Sequence, residues 1–341
     1  MIRVLIVDDS ALMRQVLRHL IEGSGDITVV GEASNGLAGC ERNLELAPDL
    51  IIMDIDMPVL DGVAATARVM KERPAPILVF SAKAESPLGF AALEAGARDL
   101  LLKPNIDALD DEAFRNSFHE RLRCLAQHAP KPRNAAPPKP TVAADDGRHR
   151  DIKAVVMGAS TGGPLAVREV LSALPVDFPV GIALVQHLED GFDEGYARWL
   201  GEFSPLRVRL AGSGVLALEA GTVTVAPVNR HLVVRGGSLC LDDGPRIGNQ
   251  KPAVDALFGS AAAWFGNGLV GVLLTGMGRD GADGCKAIMA SGGTTLVQDQ
   301  ETSAIFGMPK AAIESGAASE VLPLQAMASR LVALVSGRQI P

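Results

Sequence analysis

The chain has 341 residues, 48% of them hydrophobic but only 4% aromatic, with a formal net charge of −8. That length suits two or three domains with aliphatic cores, and an acidic balance without a basic stripe argues against a nucleic-acid surface. The N-terminal "MIRVLIVDDS" is too short and acidic for a signal peptide, no apolar run reaches the roughly 18 residues of a membrane span, and Cys40, Cys124, Cys240 and Cys285 lack metal or redox spacing, so a cytoplasmic protein that is not membrane-embedded is expected.

In the first part of the chain, "RVLIV", "LIIM", "ILVF" and "LLL" are short apolar runs separated by segments with helical spacing, such as Leu12, Val16, Leu17 and Leu20. Buried strands alternating with helices predict a parallel sheet covered on both faces. A last helix carries Phe114, Phe118, Leu122 and Leu125 on one face, with Asp110, Asp111 and Glu112 favouring its N-terminus. Ligands of such sheets bind beyond the carboxyl ends of the strands. The first strand ends in Asp8 and Asp9, the third in Asp54, the fourth in Ser81 and the last in Lys103. Clustered carboxylates repel one another unless a cation sits among them, and Mg²⁺ suits such oxygen ligands. A carboxylate beside Mg²⁺ and a lysine can attack a phosphoryl group, and a nearby hydroxyl can sense the product.

"VLIVDDS", "LIIMDIDMPVLDG" and "LLLKP" resemble the receiver domains of two-component signalling. The resemblance implies Asp54 as phospho-acceptor, Asp8 and Asp9 as Mg²⁺-binding acids with Asp54, Ser81 as the switch hydroxyl, Lys103 as the phosphate-binding lysine and a histidine kinase as phosphodonor. Leu100, three positions before the lysine, stands where receivers often carry an aromatic switch residue.

Ala129 to Arg150, "APKPRNAAPPKPTVAADDGRHR", holds five prolines and few large apolar residues. It reads as a linker that cannot bury enough surface to fold.

Beyond it, "IKAVVM" followed by "GASTGGPLAVREVLSAL" reads as strand, turn and helix, with Pro164 in the first helical turn and Val167, Val170, Leu171 and Leu174 at helical spacing. The glycine spacing fails the dinucleotide fingerprint, and no Lys-Ser/Thr pair completes a P-loop. Gly158-Ala159-Ser160-Thr161-Gly162 does match G-x-S-x-G, in which glycines let the backbone turn sharply and expose the serine. A structural glycine corner is the competing reading of this turn. A nucleophilic serine needs a base and an orienting acid. His187 ends a second buried strand, "GIALVQ", whereas His231 precedes a short strand. A third strand runs into "GMGRDGADG", which offers Asp280 and, further from the strand end, Asp283. The order Ser–His–Asp differs from the Ser–Asp–His of α/β-hydrolases.

"GASTGGP", "VQHLEDGF", "GTVTVAPVNRHL", "PAVDALFGSAA", "LLTGMGRDGADG" and "FGMPKAAI" together resemble the chemotaxis protein-glutamate methylesterases. The resemblance implies Ser160 as nucleophile, His187 as general base and acid, Asp280 as the group orienting His187, and oxyanion support from Thr161 and the backbone of Met277. It implies hydrolysis of glutamate methyl esters on the cytoplasmic helices of chemoreceptors, often with deamidation of glutamines, and no cofactor for the ester step. The expected fold class is then α/β, with two doubly wound parallel-sheet domains. A flavodoxin-like receiver spans residues 1–125, a Pro-rich linker 126–152, and a Rossmann-like methylesterase domain 153–338. Phosphorylation of Asp54 is expected to relieve blockage of the ester site by the receiver. The alternative is a phospho-regulated partner-binding protein without catalysis. A transcription factor is a weaker rival, since no basic helix-turn-helix segment follows the linker.

Overall fold

The computed structural model describes residues 1–82, 87–104, 109–127 and 151–336. The chain forms two compact units, divided after residue 135. The predicted linker lies outside the described residues except for 126, 127, 151 and 152.

The N-terminal unit runs β1 (Ile2–Val7), α1 (Ala11–Glu22), β2 (Ile27–Ala33), α2 (Gly36–Leu46), β3 (Leu50–Asp54), α3 (Gly62–Glu72), β4 (Ile77–Ser81), α4 (Pro87–Glu94), β5 (Asp99–Leu102) and α5 (Glu112–Gln127). Local chemistry starts three of its helices. Ser10, Asn35 and Asp61 each accept a hydrogen bond from the amide three residues on, opening α1, α2 and α3. The strands form a parallel sheet in the order β2-β1-β3-β4-β5. β3 and β4 are buried along their whole length, as their unbroken apolar runs predict. β2 gives a weaker sequence signal because it is an edge strand whose central residues are only half-buried. The strand order reverses between β1 and β3, and this is where Asp8 and Asp54 emerge.

The C-terminal unit begins with β6 (Ala154–Ala159), α6 (Gly163–Ser172), β7 (Gly181–Gln186), α7 (Asp193–Phe203) and β8 (Arg207–Leu210). It continues through β9 (Leu216–Ala217), β10 (Thr222–Val225), β11 (His231–Arg235), β12 (Ser238–Asp242) and α8 (Val254–Phe265). It ends with β13 (Leu269–Leu273), α9 (Ala282–Ala290), β14 (Thr294–Gln298), α10 (Met308–Glu314), β15 (Glu320–Leu322) and α11 (Leu324–Ser336). Seven strands form a parallel sheet in the order β15-β14-β13-β6-β7-β10-β8. The order reverses on the two sides of β6, so the crevice beyond its carboxyl end has β7 on one flank and β13 on the other. An antiparallel sheet, β11-β12-β9, is an addition of which the sequence showed only the short strand at His231, which that residue opens and does not precede. It lies beside α8, with Leu232, Val234 and Leu239 packed against Leu257, Phe258 and Ala261. Each of the buried Leu, Val and Phe side chains among them contributes about 1.5–3 kcal/mol.

Cys40 and Cys285 are buried and the other two cysteines half-buried, all four as free thiols. Among the described residues, no helix is long and apolar enough to cross a membrane.

Candidate active site

The turn after β6 is built by close approaches. Gly162, at φ +74°, occupies the left-handed region that opens α6, and a Cβ there would stand 2.4 Å from that of Ala304. Gly276 carries no positive φ, but a Cβ on it would lie 2.8 Å from Ser160 Cβ. Backbone bonds complete the turn: Ser160 N donates to Thr275 O at 3.0 Å, and Gly163 N to Ser160 O at 2.7 Å. Ser160 is 6% exposed and Thr161 3%, and the Thr161 hydroxyl is buried without a hydrogen-bond partner.

The pairing of β6 with β7 sets Ala159 opposite Gln186, so Ser160 and His187 leave adjacent strands at the same level. His187 N donates to Ala159 O at 3.0 Å. Gln186 ties the two ends together, its Nε2 donating to Ser160 O at 2.8 Å and to His187 O at 3.0 Å. Sequence reasoning passed over Gln186. Its signal is a polar residue closing an otherwise apolar strand.

Asp280 follows β13 on the opposite flank of β6 and is 8% exposed. Its Oδ2 accepts from His187 Nε2 at 2.8 Å and from Val254 N at 2.7 Å, and its Oδ1 accepts from Asp255 N at 2.9 Å. Burial works to raise its pKa, but the His187 contact and the two amides outweigh burial and hold the carboxyl below its usual range. An ionised acceptor requires Nε2 to carry the ring proton, which leaves Nδ1 with a lone pair. Nδ1 is buried and has no hydrogen-bond partner. In the serine-protease template the ring is used the other way round, with Nδ1–H on the acid. Asp283, the other acid of this loop, is exposed and lies near Arg279 and Lys286. His231 stands elsewhere. Its Nδ1 accepts from Ala253 N at 3.1 Å, so its Nε2 donates to Pro245 O at 2.9 Å, and the ring holds the loop leading into α8. Met277 follows Gly276 in the loop beyond β13 and is half-buried.

The N-terminal unit brings its predicted acids together. One oxygen from each of Asp8, Asp9 and Asp54 lies within 4.8 Å of the others. Lys103 Nζ is 2.9 Å from Asp8 Oδ2 and 2.7 Å from Asp54 Oδ2. Both oxygens are buried and lack a well-directed hydrogen-bond donor. The lysine therefore offsets charge without saturating the lone pairs, and the donor set fits one small oxygen-ligated divalent ion. Burial first, and then the Asp8 charge, push the Asp54 carboxyl up against the opposing pull of Lys103. Burial opposes charge on Lys103, but Asp54 and Asp8 outweigh it and raise its pKa. Ser81 ends β4 fully buried, and its carbonyl accepts from Lys103 N at 2.9 Å. Leu100, on β5, closes against α4, where a Cβ on Gly89 would meet its Cδ2 at 2.6 Å.

Two units, each with polar groups at its switch point, match two known families. Residues 155–331 match the CheB methylesterases and residues 4–113 the response regulator receiver domains. The chain belongs to the CheB methylesterase family. It is 44% identical over 331 residues to protein-glutamate methylesterase/protein-glutamine glutaminase 2 of Anaeromyxobacter dehalogenans, covering 95% of this chain and 94% of that relative. It is 38% identical over 352 residues to the protein-glutamate methylesterase/protein-glutamine glutaminase of Symbiobacterium thermophilum, covering 98% and 97%. The crystal structure of the Thermotoga maritima CheB methylesterase catalytic domain aligns with a TM-score of 0.52 at 39% identity, covering 54% of this chain and 99% of that one. The α/β, receiver-plus-methylesterase architecture expected from the motifs is the one found.

Proposed function

We propose that this CheB-family chain is a phosphorylation-regulated protein-glutamate methylesterase acting on glutamyl methyl esters of chemoreceptor cytoplasmic helices. Ser160 is the nucleophile, His187 the proton carrier and Asp280 the acid that orients it. The observation that carries the reading is the His187 ring, with Nε2 held by Asp280 at 2.8 Å and Nδ1 buried and unpartnered. Ser160 Oγ attacks the ester carbonyl as its proton passes to Nδ1. The C–OCH₃ bond then breaks and methanol leaves with that proton. Water attacks the acyl-serine, again losing a proton to Nδ1, and the carboxylate is released as Ser160 regains its hydrogen. Proton transfer of this kind contributes roughly 10²–10⁴-fold. The amides after Ser160 and Gly276, those of Thr161 and Met277, are the assigned oxyanion donors. Attack of the same acyl chemistry on a glutamine side chain, with ammonia leaving, would give deamidation.

In the receiver, Asp54 takes the phosphoryl group from a histidine kinase and becomes an acyl phosphate. Asp8, Asp9 and Asp54 would hold Mg²⁺, which neutralises charge on the phosphoryl oxygens when bound. Lys103 holds a phosphoryl oxygen and Ser81 contacts the product. The two readings are tested by methanol release from methylated receptor membranes, with and without a small phosphodonor and Mg²⁺. Ser160→Ala abolishes release, and Asp54→Ala abolishes the rise caused by phosphodonor. Release from a clean Ser160→Ala preparation refutes the nucleophile. Partner binding with no release from wild-type protein favours the non-catalytic alternative.

A further inference from the structure

Asp255, the second residue of α8, is a carboxylate for which the proposed reaction has no use. Its Oδ1 accepts from the amides of Gly281 at 2.9 Å and Gly284 at 2.6 Å, at the start of α9. Asp280, just before α9, accepts in turn from the amides of Val254 and Asp255, the first two of α8. Neither helix has a side-chain cap of its own, since the residues at those positions are Ala253 and Gly281. Each helix start, with its unpaired amides and positive dipole end, is thus closed by the acid belonging to the other.

The exchange bears on His187. Two of the three donors to Asp280 are amides of α8, so the plane of that carboxylate follows α8. The loop carrying Asp280 is held to α8 by Asp255 through the first turn of α9. Without Asp255 that loop, which contains left-handed Gly278 and Gly281, loses its tether at Gly281, the residue next to Asp280. Burial, then the Asp280 and Asp283 charges, push the Asp255 carboxyl up to about 6, against the pull of the Gly284 amide. The molecule thus keeps two neighbouring acids close together despite their repulsion.

We propose that Asp255 is a positioning residue of the ester site, which with Asp280 forms a reciprocal helix-capping clasp that sets the carboxylate orienting His187. The proposal rests on the hydrolytic reading of Ser160, His187 and Asp280. A purely structural cap would affect stability without touching the ring.

The test uses the full chain as wild type, Asp255→Ala, Asp255→Asn and Ser160→Ala. Two readouts are followed: kcat and KM for ester hydrolysis, and the proton resonance of the His187 ring N–H that binds Asp280. Asp255→Ala is expected to lower kcat about 10- to 100-fold with KM unchanged, and to move or broaden the resonance. Asp255→Asn keeps an oxygen for the Gly281 and Gly284 amides, and is expected to restore kcat to within about three-fold of wild type along with the resonance. A folded Asp255→Ala chain with wild-type kcat and resonance overturns the proposal, as does an Asn variant no better than Ala. A wild-type chain that releases no methanol, while its resonance still responds to Asp255→Ala and recovers in Asp255→Asn, refutes the hydrolytic reading and upholds the clasp.

Discussion

Replacing Asp280 by Asn exchanges one carboxylate oxygen for an amide nitrogen at a position where both oxygens accept. With the nitrogen in place of Oδ2, the buried Val254 amide would face a donor. His187 Nε2 would also have to become an acceptor, moving the ring proton to Nδ1 and removing the base. With the nitrogen in place of Oδ1, only the half-buried Asp255 amide loses its acceptor. Each unsatisfied group costs about 1–3 kcal/mol, so the second orientation, with one loss instead of two, is favoured. The ring then keeps its tautomer and loses only the charge of its partner. Hydrogen bonds to charged groups are worth about 1.5–3 kcal/mol and neutral ones about 0.5–1.5. The expected loss is about 1–1.5 kcal/mol, or a roughly 5- to 13-fold fall in kcat. That is far short of the ~10⁴-fold that a wrong tautomer costs in the serine-protease template. Steady-state methanol release, with the His187 ring N–H followed by NMR, measures both quantities. A fall of about 10⁴-fold with the proton on Nδ1 would refute the reasoning.

Gly276→Ala places a methyl group 2.8 Å from Ser160 Cβ and 2.2 Å from Met308 Sδ. The thioether can move and the serine backbone cannot, so kcat is expected to fall at least about ten-fold while overpacking costs roughly 1–3 kcal/mol. Activity and thermal melting of the same preparation check this, and an unchanged kcat would contradict it. Asp255 also predicts a pH effect. With its pKa pushed up to about 6, against about 4 in the unfolded chain, the folded chain binds more protons between those values. Stability therefore falls as pH rises through that window. Because Asp255 is partly exposed, the loss expected across that window is on the order of 1 kcal/mol. Asp255→Asn should flatten this slope in urea titrations read by tryptophan fluorescence, because Trp199 and Trp264 both belong to the C-terminal unit. Equal slopes in both proteins would refute it. Chelating Mg²⁺ is expected to abolish the response to a small phosphodonor and leave basal methanol release intact. Basal release that disappears with the metal would contradict an ester step without a cofactor.

The elements that carry the candidate site residues were legible in the chain because their signals are local. Unbroken apolar runs mark buried parallel strands, and a parallel sheet sends every strand end to one rim. Asp8, Asp54, Ser81, Lys103, Ser160 and His187 could therefore be placed at their rims from position alone. The glycine-serine turn was legible for a similar reason, since positive φ at Gly162 and the close approach at Gly276 demand residues without a Cβ. Edge strand β2 and the antiparallel sheet gave weak signals because half-buried or very short strands have no continuous apolar run. Other features depend on segments distant along the chain. Asp280 meets His187 across 93 residues, and only the folded chain shows that it does so through Nε2. The choice of His187 over His231 came from the family resemblance, and packing supplies its physical reason, because His231 spends both ring nitrogens on the loop before α8. The exchange of caps between Asp255 and Asp280 left no trace in local pattern. Helix-end amides accept any carboxylate that reaches them, and only the packing of α8 on α9 decides whose does.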